Sequence, residues 1–154
     1  MKRLPSSLCK ALLCLVVLAA AHPVANAERC RVQVLQDVSF GTYDPLQSGN
    51  LDAAGLLRMR CSPSGVNASV KIGTGLSGGY QPRYMQSGPN QLGYNLYLDA
   101  ARTVVWGDGT SGTDYLFLGN LRRWVSVPIY GRSPLGQNAS PGSYSDTVIV
   151  TIEW

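Results

Sequence analysis

From Glu28 to Trp154 the apolar residues recur with a period of two in short runs, and Gly, Ser, Thr, Asn and Pro break those runs at short intervals. Side chains on a strand alternate between faces, so this period predicts strands, each with one buried face. The first run is 31–40, with Val32, Val34, Val38 and Phe40 in step. The second is 55–61, where Leu57, Met59 and Cys61 face one way and Arg58 and Arg60 the other. The third is 68–72, with Ala68, Val70 and Ile72 inward, and a glycine-rich stretch, 73–79, follows it. Runs at 92–98, 115–118 and 124–130 continue the pattern; Pro128 lacks an N–H and predicts an edge or a bend in the last of these. The final strand is expected over 144–154, with Val148, Val150, Ile152 and Trp154 on one face and Thr147, Thr151 and Glu153 on the other. No stretch shows helical periodicity, and no repeat or linker divides the chain. The pattern therefore predicts one all-β sandwich domain.

The N-terminus reads differently. Lys2 and Arg3 precede an apolar run over 11–21, and Ala25-Asn26-Ala27 supplies a small-x-small cleavage site. This is the layout of a secretory signal peptide over 1–27, with the mature domain at 28–154. The run is about half the roughly 20 residues that a membrane-spanning helix needs, so a span is not expected. Cleavage changes the chemistry. The whole chain holds 13 Lys+Arg, 9 Asp+Glu and one His. The leader removes Lys2, Arg3, Lys10, His22, Cys9 and Cys14, which leaves a nearly neutral domain with one lysine, Lys71. Such a charge balance gives no overall electrostatic footprint for nucleic acid. Without histidine there is no Ser-His-Asp triad and no His-ligated zinc site. No catalytic residue, metal site or cofactor is expected. Two cysteines remain, and in an oxidising compartment Cys30 and Cys61 are expected to form one disulfide.

Several local signals have a bland reading that is the stronger one. Gly73-Thr74-Gly75-Leu76-Ser77-Gly78 matches a dinucleotide-binding glycine pattern, but Gly79-Tyr80-Gln81-Pro82 starts no helix to hold a pyrophosphate. Asp108 and Asp114 do not have the spacing of a calcium loop and are expected in turns. The scattered aspartates 44, 52, 99, 108 and 146 are expected as turn and cap residues rather than as a glycosidase pair. Tyr80, Tyr84 and Trp106 sit in or beside loops and are candidates for contact with a surface or a glycan.

The ordered set Val38-Ser39-Phe40-Gly41-Thr42-Tyr43-Asp44-Pro45, Arg60-Cys61, Tyr94-Asn95-Leu96-Tyr97-Leu98-Asp99-Ala100-Ala101-Arg102, Trp106-Gly107-Asp108-Gly109, Tyr130-Gly131-Arg132 and Gly142-Ser143-Tyr144-Ser145-Asp146-Thr147 resembles the spore coat protein U domain family. That family includes subunits of archaic, Csu-type chaperone–usher pili. The resemblance spans nearly all of 30–154. It implies an incomplete immunoglobulin-like β-sandwich lacking its final strand, held by a periplasmic chaperone, exported through an outer-membrane usher and completed by a strand from a neighbouring subunit, with a role in adhesion or biofilm formation. A spore-coat or other secreted structural protein is the alternative the family name carries, and a small secreted hydrolase the remote one.

A sandwich so truncated exposes an apolar groove and an unpaired edge, which a donated strand would fill. Val148, Val150, Ile152 and Trp154 are expected on one wall of that groove, with Val32 and Val34 opposite. Only Glu28 and Arg29 precede Cys30 in the expected mature chain, too few to reach along a neighbour's groove. The subunit is therefore expected to accept a strand, donate none and end a fibre.

Overall fold

The computed structural model describes residues 29–154 apart from residue 47; the expected leader lies outside the described residues. Eight strands form two sheets: β1 (Arg29–Gln36), β2 (Leu51–Ser62), β3 (Val66–Ile72), β4 (Arg83–Ser87), β5 (Asn90–Tyr97), β6 (Leu116–Leu121), β7 (Val125–Ser133) and β8 (Val150–Glu153). One sheet runs β1-β2-β7-β5-β4 and the other β6-β3-β8. Every strand pair is antiparallel. One 3₁₀ turn, Gly75–Ser77, is the only helical element among the described residues, and it lies in the glycine-rich stretch. No helix there is long and apolar enough to cross a membrane.

The core forms where the alternating inner faces meet. Leu57 and Met59 of β2, Val70 and Ile72 of β3, and Val127 of β7 are all at most 4% exposed. Arg58 and Arg60 occupy the intervening positions of β2, as the alternation requires. Cys30 and Cys61 are direct cross-strand partners and form the expected disulfide between β1 and β2. With a sequence separation of 31, the crosslink should stabilise by about 3–4 kcal/mol in the chain-entropy model.

Three strand expectations change. The first strand ends at Gln36, and Asp37–Tyr43 passes over the inner face of the sheet instead of continuing along it. Two glycines make room for that passage: a Cβ on Gly55 would stand 2.7 Å from Val38 Cγ2, and one on Gly131 would stand 2.6 Å from Val38 Cγ1. The last strand is only β8. Residues 144–149 leave its line, and Ser145 exchanges two backbone hydrogen bonds with Gln86 on the free edge of β4. Pro128 sits inside β7, a central strand, opposite Leu56 of β2. It is tolerated because β5 pairs with β7 only from Tyr130 to Arg132, so that side of β7 is locally an edge.

Candidate functional site

The inner faces of β1 and β2 are not equally covered. Residues directly opposite each other on neighbouring strands share a face. Val32 pairs with Met59 and Val34 with Leu57. Met59 and Leu57 are 1% and 2% exposed; Val32 and Val34, on the same face, are 39% and 58% exposed. The second sheet therefore covers β2 and stops short of β1. The result is a groove of about 1300 Å³. One wall is Val34 and Val38; the floor includes Met85, Leu92, Leu96 and Ile129; the far wall is Tyr144, Val148 and Val150. Both bordering strands, β1 and β8, are outermost in their sheets, so each offers an unpaired backbone edge.

Of the residues expected to line such a groove, the fold brings together Val34, Val148 and Val150. Val32 lies on the same face of β1, nearer the disulfide, and is not part of the lining. Ile152 points inward from β8 beyond the end of the groove, and Trp154, 55% exposed, follows the strand rather than belonging to it. Sequence reading missed Phe40, Tyr94 and the floor residues of β4, β5 and β7. Phe40 packs edge-on against Tyr94 at 5.8 Å, an arrangement that depends on the chain crossing the sheet after β1. The alternation of β4 and β5 does mark Met85, Leu92, Tyr94 and Leu96 as inward, but carries no sign of which inward residues stay open.

The groove has one polar end. Tyr94 Oη donates to Asp146 Oδ2 at 2.6 Å, and Asp146 Oδ1 accepts from the Leu76 backbone N–H at 2.9 Å. Burial, reinforced by the carboxylate, pushes the Tyr94 phenol far above its ordinary range, so it stays protonated and keeps donating. Asp146 thereby ties the 3₁₀ turn to β5. Gly75 at φ +64° belongs here for a plain reason: a Cβ would strike the Asp146 carboxylate.

Beside the groove floor lies a buried polar cluster. Arg83 is fully buried. Its guanidinium donates to the Gly73 carbonyl at 3.0 Å, the Trp106 carbonyl at 2.7 Å and Asn95 Oδ1 at 2.6 Å. It also lies 5.0 Å from the centre of the Tyr80 ring. Burial lowers its pKa, and these three hydrogen bonds, with a longer one to the Ile72 carbonyl at 3.4 Å, offset that desolvation. Surface contact is closed to two of the three aromatic candidates. Trp106 is fully buried and donates Nε1–H to the Val70 carbonyl at 2.9 Å; Tyr80 is 9% exposed. Their loops fold inward because the arginine needs carbonyls and an aromatic face around it. Tyr84 of β4 is half-buried.

The aspartates hold loops together. Asp99 accepts from the backbone N–H groups of Thr103 and Val104, and Asp108 from the N–H and hydroxyl of Thr110. Among the described residues no group of three or more His, Cys, Asp or Glu could hold a metal.

Two facing sheets, a cross-strand disulfide and an apolar groove between two unpaired edges define an incomplete immunoglobulin-like β-sandwich. The chain belongs to the Spore Coat Protein U domain family, whose model matches residues 15–151. It is 37% identical over 128 residues to Protein U of Myxococcus xanthus, covering 75% of this chain and 70% of that protein. Its fold is similar to a chain in the crystal structure of the CsuC-CsuE chaperone-tip adhesion subunit pre-assembly complex, from the archaic chaperone-usher Csu pili of Acinetobacter baumannii. There the TM-score is 0.59 at 23% identity over 82% of this chain. The match spans only 40% of that longer chain.

Proposed function

We propose that this domain is a strand-accepting subunit of an exported chaperone–usher fibre. A strand of alternating apolar residues, supplied first by a chaperone and then by a neighbouring subunit, runs along the groove, pairs with the free edge of β8 and covers β1. The observation that carries the reading is the contrast between Val32 and Val34 and their buried cross-strand partners. An inward face so open leaves apolar surface in water at a cost of about 25 cal/mol per Å². Strand addition offsets that cost and satisfies the backbone edge in one step. The family, and the similarity to a chain from a chaperone–subunit complex of archaic pili, support the same assignment.

The test is a strand fused after Trp154 through a short Gly/Ser linker. The expected result is a clear rise in the melting temperature and a fall in aggregation; an unchanged melting temperature overturns the proposal. Position in the fibre is read separately by immunogold labelling. Label confined to one fibre end supports a terminal, non-donating subunit, and label along the shaft refutes that position. The second reading, a coat protein, is favoured by the 37% identity to Protein U in a family named for the spore coat. It predicts the protein on the dormant cell rather than on a fibre.

A further inference from the structure

The outer face of β1 and β2 carries an arrangement that strand acceptance does not use. Arg31 stands directly opposite Arg60, and Gln33 directly opposite Arg58. Like charges so placed destabilise a sheet, and among the described residues no carboxylate pairs with Arg31, Arg58 or Arg60. The other end of the same sheet shows the usual remedy. There Arg102 and Arg132 share Asp52, at 3.2 and 2.7 Å.

Two of the three uncompensated arginines are nonetheless held in place. Arg58 and Arg60 both lie over the Trp124 ring, 4.7 and 5.3 Å from its centre. Arg58 Nε donates to Gln33 Oε1 at 2.7 Å, and its two Nη groups make no hydrogen bond among the described residues. Arg122 and Arg123 precede Trp124 in the chain and add to the charge nearby. A stacked guanidinium is pre-organised, so less entropy is lost when it binds an oxyanion through two parallel hydrogen bonds.

We propose that this face binds a single extended polyanion bearing carboxylates, an acidic polysaccharide. The three arginines lie on one face of two adjacent strands, and two of their guanidinia share one ring, so several planar forks are presented together. A planar fork binds a carboxylate through paired hydrogen bonds, so carboxylates repeated along one chain can engage several of these groups together. Single-stranded nucleic acid is disfavoured because its bases need a bare aromatic face, and the Trp124 ring is already covered by Arg58 and Arg60. Because side chains alternate, the arginines point away from the groove that Val32 and Val34 face. The surface stays available while the groove is occupied, and the inference is independent of the strand-acceptor reading.

The experiment is affinity electrophoresis of the purified protein through gels containing polygalacturonate, dextran or sheared duplex DNA, over a range of NaCl. Retardation by polygalacturonate that weakens with salt, with none by dextran, is expected. R31Q/R58Q/R60Q should lose at least tenfold in affinity and K71Q, on the other sheet, nothing. R60K should bind more weakly than the parent although its charge is kept. R60Q alone removes the repulsion with Arg31, so it should melt no lower than the parent while binding less, a combination that a purely structural role does not produce. Undiminished binding by the triple variant, equal retention by dextran, or tighter binding to duplex DNA than to polygalacturonate would each overturn the proposal.

Discussion

The two outer edges of the five-stranded sheet are finished in opposite ways. At β4 the chain closes the edge itself: Ser145 bridges Gln86, Arg83 fills the space beneath with its hydrogen bonds, and Tyr80 and Trp106 seal it. At β1 no described residue crosses the edge, and the inner valines stay open. Each edge strand has an inward face, with Val32 and Val34 on β1 and Arg83 and Met85 on β4. What separates them is whether the facing sheet reaches that far: the second sheet has three strands against five, and its free strand, β8, is four residues long. A self-contained edge stabilises the subunit alone, whereas an open one makes its stability depend on a partner.

The sharpest break of this contrast is at the closed edge. Arg83→Ala would leave the Gly73 and Trp106 carbonyls and Asn95 buried without their donor. Each unsatisfied group costs roughly 1–3 kcal/mol, so a loss above about 3 kcal/mol is expected in urea denaturation, with Arg83→Lys recovering only part. A loss under about 1 kcal/mol would show that the cluster is solvated. Next come the cross-strand partners. Leu57→Ala should cost about 2–5 kcal/mol, and Val34→Ala, opposite it, well under about 1 kcal/mol, because that side chain is already largely in water. With a strand fused after Trp154 the Val34 cost should rise; equal costs with and without the strand would mean that nothing fills the groove.

Removing the disulfide with Cys30→Ser/Cys61→Ser should lower stability by about 3–4 kcal/mol and loosen β1 more than β4. Hydrogen exchange along the two strands checks this, and uniform loosening would break the comparison. The smallest effect belongs to Asp52. The hydrogen bond from Arg132 holds its carboxyl below the ordinary range; partial burial opposes this, and the nearby Arg102 charge adds to it. A depressed folded pKa contributes stability that is present above the unfolded value and is lost as pH falls through the folded one. Asp52→Asn should therefore cost at most about 1 kcal/mol at pH 7, the size of an exposed ion pair. The gap to the parent should close below about pH 4. A gap that persists at pH 2 would assign the effect to packing.

Alternation by itself determined that the domain is all-β and that Leu57, Met59, Val70 and Ile72 face inward while Arg58 and Arg60 face out; the cysteine count outside the expected leader named Cys30 and Cys61 as the pair to join. These are local properties: a period of two states which side of its own strand a residue occupies. It could not state whether that side meets a second sheet, so the exposure of Val34, the groove floor and the absence of Ile152 and Trp154 from the walls were decided by how far β8 reaches. The interrupted last strand came from the same source. Residues 144–149 belong to the expected last strand, whose polar face Ile149 breaks, yet the free edge of β4 and the tie of Asp146 to Tyr94 draw them out of line. Trp106 and Tyr80 read as loop aromatics because the reason for burying them, the Arg83 guanidinium, lies 23 and 3 residues away in sequence. A charge with no partner near it in the chain carries no sign of being buried; only the folded chain brings carbonyls from β3, β5 and the Trp106 loop to one point, and that convergence, being non-local, is what the tertiary structure alone supplied.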